Sequence, residues 1–287
     1  MAIGLCYNYV MNLREIYSSK FAISFEVFPE ENTQNLYNTL QILSKYSPAL
    51  VSLTYGAGGN NKDFSFDIIK YLKQELNVNV MPHFTCICNS KEMIERNIKS
   101  IEQLGIENIL ALRGDIPEDN SICHFDFKYA NELVKYIKLG TNLSVAVAGY
   151  PEGHIESTDL KSDIYNLKRK IEAGGEVIYT QLFFNNDKFY NFVDQVKNEG
   201  ISVPVIPGIM PIISKKQIDK MTKLAKIEVP KIVLEALDKY NSDDLKKFGI
   251  DFASDQCLNL INNGVKGLHF YTLNKYYSTS RIIDNIL

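Results

Sequence analysis

Eight short apolar runs, rich in β-branched and aromatic residues and each followed by residues at helical spacing, constrain this chain more than any other feature. The runs are Ala22–Phe28, Leu50–Thr54, Val78–Phe84, Asn108–Leu112, Ser144–Gly149, Val177–Gln181, Val203–Pro207 and Gly267–Thr272. Between them, stripes such as Leu36, Leu40 and Leu43, or Ile94, Ile98, Ile101 and Leu104, or Ile164, Leu167 and Ile171 give a helix one apolar face. Ser90 stands where an N-cap belongs, and Gly105 and Gly174 stand where helices should stop. The long interval Ser214–Asn263 reads as two or more helices, broken at Pro230 and at Asn241–Asp244.

Strand-then-helix repetition predicts parallel strands covered by helices, and eight repeats predict a closed (β/α)8 TIM barrel, an α/β fold in a single domain. The barrel is expected over residues 21–287, after an N-terminal extension and first helix at 1–20. A doubly wound open sheet would need a nucleotide fingerprint, and Gly56-Ala57-Gly58-Gly59 lacks the third glycine at that spacing.

Composition removes several classes of function. With 287 residues, 45% of them hydrophobic, and a net charge of -3 without a dense Lys/Arg run, the chain can bury one full core and lacks the footprint of a nucleic-acid binder. The longest apolar stretch, Val203 to Ile213, is interrupted by Pro and Gly, so no membrane span is expected. The start MAIGLCYNYV has neither the basic region nor the long apolar core of a secretory signal; a cytoplasmic location is expected, with Met11 as an alternative initiator. Five scattered cysteines, Cys6, Cys86, Cys88, Cys123 and Cys257, argue against a complete disulfide framework and are expected to be reduced. Cys86-Ile87-Cys88 lacks C-x-x-C spacing, strand alternation would put both thiols on one face, and no two of the four histidines are spaced i, i+4, so no metal site is predicted.

Barrels of this kind carry chemistry at the carboxyl ends of their strands. Polar residues cluster there: Glu26; Thr54 and Tyr55; His83 and Thr85; Arg113-Gly114-Asp115; Tyr150, Glu152 and His154; Gln181; Gly208; and Tyr271, Asn274 and Lys275. Glu26, flanked by Phe25, Val27 and Phe28, is expected to have a raised pKa suited to donating a proton; the ordinary alternative is a solvated or lysine-paired carboxylate. Arg113-Gly114-Asp115 suits an anionic group beside a polar heterocycle, and a simple surface turn before Pro117 explains it equally well. His83, inside an apolar strand, reads first as a hydrogen-bonded core residue. Asp163, Asn166 and Lys170 share a helix face with Arg169 beside them, as a nucleotide-binding face or as a solvated charged one.

The motifs in order resemble the methylenetetrahydrofolate reductase family collinearly from about Phe21 to the carboxyl terminus. The likeness rests on Ser24-Phe25-Glu26-Val27-Phe28-Pro29, Ser52-Leu53-Thr54-Tyr55-Gly56-Ala57, Pro82-His83-Phe84-Thr85-Cys86, Leu112-Arg113-Gly114-Asp115, Tyr150-Pro151-Glu152, Asn166-Leu167-Lys168-Arg169-Lys170, Thr180-Gln181, Pro207-Gly208-Ile209 and His269-Phe270-Tyr271-Thr272-Leu273-Asn274. The resemblance implies a flavoprotein oxidoreductase of one-carbon metabolism and methionine biosynthesis. Such an enzyme reduces 5,10-methylenetetrahydrofolate to 5-methyltetrahydrofolate with electrons from NADH or NADPH.

Carried over residue by residue, Glu26 is the general acid that opens the imidazolidine ring to an iminium, which a hydride from flavin N5 converts to methyl. Asp115 is a carboxylate near flavin and pterin, and Gln181 is the amide that meets the pterin, with Tyr271 and Lys275 also on the substrate. FAD contacts fall on Thr54, Tyr55, His83, Arg113, Gly114, Asp115, Tyr129, Ala130, Tyr150, His154, Asp163, Asn166, Arg169 and Lys170. Three positions depart from the family's pattern: Glu30 in place of a second proline, Lys275 in place of arginine, and Gly149 in place of alanine, the last read as minor. A flavin-holding subunit fed by an electron-donor protein, and a homo-oligomer, stay open. A Schiff-base lyase is disfavoured because no predicted strand carries an interior lysine.

Overall fold

The computed structural model describes residues 11–54, 66–115 and 126–287. Its strands are β1 (Ala22–Val27), β2 (Leu50–Leu53), β3 (Val80–Thr85), β4 (Asn108–Leu112), β5 (Ser144–Gly149), β6 (Val177–Leu182), β7 (Val205–Ile209) and β8 (Gly267–Tyr271). They follow one another in a closed barrel, and β8 returns parallel to β1 with Glu26 opposite Tyr271. The eight expected strands are the eight observed.

Two boundaries move for local reasons. Val78 gives its N–H to Leu72 O at 3.0 Å and so belongs to the joint before β3, not to the ladder. Pro204 has no N–H to offer and contributes only its carbonyl, which accepts from Ile178 N at 2.9 Å, so β7 starts at Val205.

The helices are α1 (Leu13–Ser19), α2 (Thr33–Ser44), α3 (Phe66–Lys70, continuing as a π-helical turn over Tyr71–Glu75), α4 (Lys91–Gln103), α5 (Ala130–Gly140), α6 (Leu160–Glu172), α7 (Asn186–Asn198), α8 (Lys215–Leu224), α9 (Lys231–Lys239), α10 (Ser242–Asn262) and α11 (Tyr276–Ile286). The interval between β7 and β8 thus holds three helices broken at the predicted places. Ser90 accepts from Met93 N at 3.3 Å and caps α4. Among the described residues no helix is long and apolar enough to cross a membrane.

Outward strand residues such as Phe25, Val51, Ile109, Val145 and Phe270 pack under the helices in one continuous core, while a second cluster fills the barrel's base. There α1 acts as a plug: Leu13, Ile16 and Tyr17 are buried against Ala22, Leu50, Met81, Leu110, Ala146, Val177 and Ile206. Polar bonds fix the plug at its rim. Asn108 Nδ2 donates to Met11 O at 2.8 Å, and the buried Glu176 carboxylate accepts from Lys138 Nζ and Ser144 Oγ, each at 2.7 Å, with Arg14 Nε at 3.2 Å.

Two thiol expectations change. β3 ends at Thr85, and Cys88 takes a left-handed φ of 61°, so Cys86 and Cys88 do not alternate along a strand. Cys86 is free and buried, whereas Cys88 is disulfide-bonded with its partner outside the described residues. The reduced state expected for all five cysteines therefore fails at Cys88.

Removing the plug's side chain at Ile16→Ala should lower stability by about 2–5 kcal/mol, the range for emptying a buried aliphatic site; an unchanged urea midpoint would show that α1 is not part of the core. A Cβ on Gly208 would stand 2.3 Å from Thr180 O and 2.6 Å from Tyr271 Cε2. Gly208→Ala should therefore cost about 1–3 kcal/mol by overpacking, read by the same denaturation, and a midpoint at or above the parent's would refute the close approach.

Candidate active site

Alternation along the strands sorts the barrel interior into layers. Above the apolar base lies a buried polar layer of Ser24, Ser52, His83, Tyr179 and His269, and above that Glu26, Thr54, Gln181 and Tyr271 open toward the mouth. The rim of this layer is stitched across the closure. Thr272 Oγ1 donates to Glu26 O at 2.7 Å, and the Asn274 amide both accepts from Phe28 N at 3.1 Å and donates to Phe28 O at 2.8 Å. Tyr271 O–H crosses β7 to Thr180 O at 2.7 Å, over the space that Gly208 leaves by lacking a side chain.

Glu26 sits at the centre, with 22% of its side chain exposed. Its Oε2 lies 3.5 Å from His83 Nε2 and 3.9 Å from His269 Nε2. Burial pushes this carboxyl upward, as expected from its apolar neighbours, but the His269 and His83 imidazoles and the Thr54 hydroxyl favour the ionised form and win, so its pKa lies below the ordinary value. The raised pKa expected from sequence is thereby corrected. Flanking residues in a strand point away from Glu26, so Phe25 and Val27 wall the helix layer, and the groups that face the carboxylate come from β3 and β8. His83 itself is held down by burial, with Glu26 pulling the other way.

The second half of the site is built by β4, β5 and α6. Gly114 takes a φ of +85°, and a Cβ there would stand 3.0 Å from Thr85 Cβ, so the backbone position suits glycine alone. It turns Asp115 into a cavity of about 270 Å3 shared with Tyr150, His154 and Gln181, and with Glu152, Leu224 and Lys226. Arg113 is gripped by Glu156 in a two-pronged ion pair, one prong at 2.7 Å, which raises the guanidinium's pKa further. Lys170 Nζ donates to Ala148 O at 2.6 Å and lies 5.8 Å from the Tyr150 ring centre. Burial lowers its pKa to about 8, against the pull of Asp163. Asp163 is itself buried, raised by desolvation, and accepts from Ser157 Oγ at 3.1 Å. Tyr150, edge-on to His154 at 4.7 Å, is pushed up to about 12 by burial.

Not every expected residue joins this arrangement. Asn166 and Arg169 lie on the exposed face of α6, Tyr129 is 43% exposed at the cap of α5 with Ala130 beside it, and Lys275 caps α11 at a different cavity. Tyr55 and the glycine run after it lie outside the described residues. Sequence reading missed His269, Ser24 and Glu156. The first two were accessible, since His269 precedes Tyr271 by two residues, as Ser24 precedes Glu26, on the same inward face; their own bond, Ser24 Oγ to His269 Nδ1, is 2.8 Å. Glu156 carried no such periodic signal.

The departures acquire local explanations. Glu30 Oε1 accepts from Asn35 Nδ2 at 2.9 Å and pins the first turn of α2. A methyl at Gly149 would stand 2.7 Å from Ile178 Cγ2 and 2.9 Å from Phe192 Cζ, so the missing side chain is matched by its neighbours and is more than a minor change.

The family model for methylenetetrahydrofolate reductase matches residues 12–287. Methylenetetrahydrofolate reductase (NADH) 1 of Arabidopsis thaliana is 37% identical over 284 residues, covering 92% of this chain and 48% of that protein. The 5,10-methylenetetrahydrofolate reductase of Escherichia coli K12 is 35% identical over 258 residues, covering 88% of this chain and 86% of that one. The chain thus spans about half the length of the plant relative and most of the bacterial one. An uncharacterised Clostridium thermocellum protein that binds two copies of 5-methyl-5,6,7,8-tetrahydrofolic acid shares the fold at a TM-score of 0.68, with 14% identity and 95% of this chain and 96% of that chain covered. With the barrel, the mouth and these matches in agreement, the chain belongs to the methylenetetrahydrofolate reductase family.

Proposed function

We propose that the protein is a flavin-dependent reductase that converts 5,10-methylenetetrahydrofolate to 5-methyltetrahydrofolate, taking electrons from NADH or NADPH. The observation that carries this reading is the central Glu26, facing two imidazoles, beside a cavity in which Asp115 and Gln181 meet. A cytoplasmic location goes with it, because reduced folates and reduced nicotinamide nucleotides are made and used there.

The flavin assigned to this site is FAD, and the donor chemistry suits it. Lys170 is a half-buried ammonium with one protein acceptor, leaving two N–H donors for an anionic group. The Arg113 fork already holds a carboxylate, that of Glu156, which marks it as an anion site. Thr54, Tyr55, His83, Gly114, Asp115, Tyr129, Ala130, Tyr150, His154, Asp163, Asn166 and Arg169 complete the assigned cofactor contacts. When bound, the flavin supplies the hydride.

The chain's own residues handle charge and protons. Asp115 places a fixed carboxylate where the substrate's cationic iminium develops, and Gln181, whose Oε1 is engaged by Leu182 N at 3.1 Å, keeps its amide N–H groups for the pterin. Tyr271, locked by its bond to Thr180 O, is a wall for the substrate, and Lys275 offers a point charge to the glutamate tail. Glu26 starts ionised beside imidazoles that can share a proton with it. A pterin laid over its exposed edge removes the remaining water, strengthens the upward push of burial and favours the protonated acid that ring opening needs.

Glu26→Gln should leave reduction of the bound flavin by NADH within about threefold of the parent while folate reduction falls at least about a hundredfold, the scale of a lost general acid. Stopped-flow absorbance separates the two half-reactions; survival of both would remove Glu26 from its role. Failure of both nicotinamide nucleotides to bleach the parent's flavin would favour delivery of electrons by a partner protein. Because the Lys170 ammonium loses its proton near pH 8, flavin affinity should weaken between pH 7 and 9. Lys170→Arg, charged throughout that range, should flatten the profile, and an identical pH dependence in the variant would show that Lys170 does not hold the cofactor's anionic part.

A further inference from the structure

Glu152 shares the mouth cavity with Asp115 and Gln181 and is tied to the chain that leaves α8: its Oε2 accepts from Glu228 N at 2.9 Å. A tight turn presents it there, with Pro151 at the second position and Gly153 N donating back to Tyr150 O at 3.0 Å. The other oxygen, Oε1, is buried and receives no hydrogen bond among the described residues. A carboxylate offers about four acceptor sites, and a buried oxygen left without a donor is costly. Burial accordingly pushes the Glu152 carboxyl's pKa upward, against the pull of the Glu228 N–H and the Lys188 ammonium. Lys188 is itself held by Glu228 at 2.8 Å. Lys226 lines the same cavity, is exposed and meets no carboxylate at ion-pair distance among the described residues.

An acceptor short of donors beside an unpaired ammonium suits a sugar next to a phosphate, because hydroxyls donate to the carboxylate and the phosphate meets the cation. A pterin has no phosphate, whereas a nicotinamide dinucleotide carries a ribose diol on each side of its diphosphate. We propose that Glu152 selects the reductant: it accepts hydrogen bonds from the adenosine ribose hydroxyls of NADH and rejects NADPH, whose 2′-phosphate would be pushed against a carboxylate. The inference rests on the reading that a nicotinamide nucleotide reduces the flavin, and deepens it by naming which one. The broad terminal torsion of a glutamate lets the unpaired oxygen turn toward an incoming hydroxyl. One side chain thus attracts the right partner and repels the wrong one. Lys226 takes the diphosphate common to both nucleotides, so it adds affinity without choosing between them.

Stopped-flow reduction of the bound flavin, at nucleotide concentrations well below saturation, gives a second-order rate for each nucleotide. In the parent NADH should react at least about tenfold faster than NADPH, the scale of one unfavourable like-charge contact. Glu152→Gln keeps an amide oxygen for Glu228 N and removes the charge; the ratio should fall to about threefold or less, with NADPH gaining and NADH losing. Lys226→Ala should slow both reactions by a similar factor and leave the ratio in place. A parent that uses both nucleotides equally, or prefers NADPH, would overturn the assignment. So would a Glu152→Gln variant in which both rates fall together, the mark of a residue that only anchors the end of α8 or meets the nicotinamide ribose. Either result leaves the flavin reductase reading standing. If neither nucleotide bleaches the flavin, that supply of electrons and the role of Glu152 fall together.

Discussion

A carboxylate inside a closed barrel has to be answered by something, and at Glu26 the answer is two imidazoles. His83 from β3 and His269 from β8 approach the same oxygen from opposite sides, and each is buried. Isolated burial of this charge would be prohibitive, and the barrel meets that constraint by placing weakly basic rings, not lysines, around it. The choice matters chemically. A lysine would lock the carboxylate as an anion, while an imidazole titrates in the same range in which an enzyme must move protons. The polar layer beneath, Ser24 to His269 and Tyr17 to Tyr179, continues the hydrogen bonding down to the α1 plug, so the site and the base of the barrel are one packed column.

Function and stability therefore divide along the barrel axis. At the base, Glu176 is paired with Lys138 and Arg14, and the apolar faces of α1 close the core. At the mouth, Asp163 is buried and Lys170 half-buried, each with few protein partners, and desolvation pushes each toward its neutral form. Charges kept in that condition weaken the folded state slightly and are tolerated where a ligand completes them. At the rim the exposed carboxylate of Glu156 holds the Arg113 fork, so the cation there is answered by a partner that solvent also reaches.

The fold was legible because strand periodicity and helix punctuation told the same story. Ser90, Pro230 and Asn241 fell at real helix starts or breaks, and the eight strands matched to within two residues. Strand-end reasoning brought Glu26, Asp115, Tyr150, His154 and Gln181 to the barrel mouth, but it misjudged the electrostatics at Glu26. Glu26 was read from its chain neighbours, Phe25 and Val27, which in a strand face the opposite layer; its true surroundings lie 57 and 243 residues away, at His83 and His269. Helix-face reasoning erred in the other direction. Asp163 and Lys170 turn inward as their spacing implied, but Asn166 and Arg169 remain in solvent because the buried stripe of α6 runs through Ile164 and Leu167. Cys88 was misread because counting cysteines reports nothing about which loops meet.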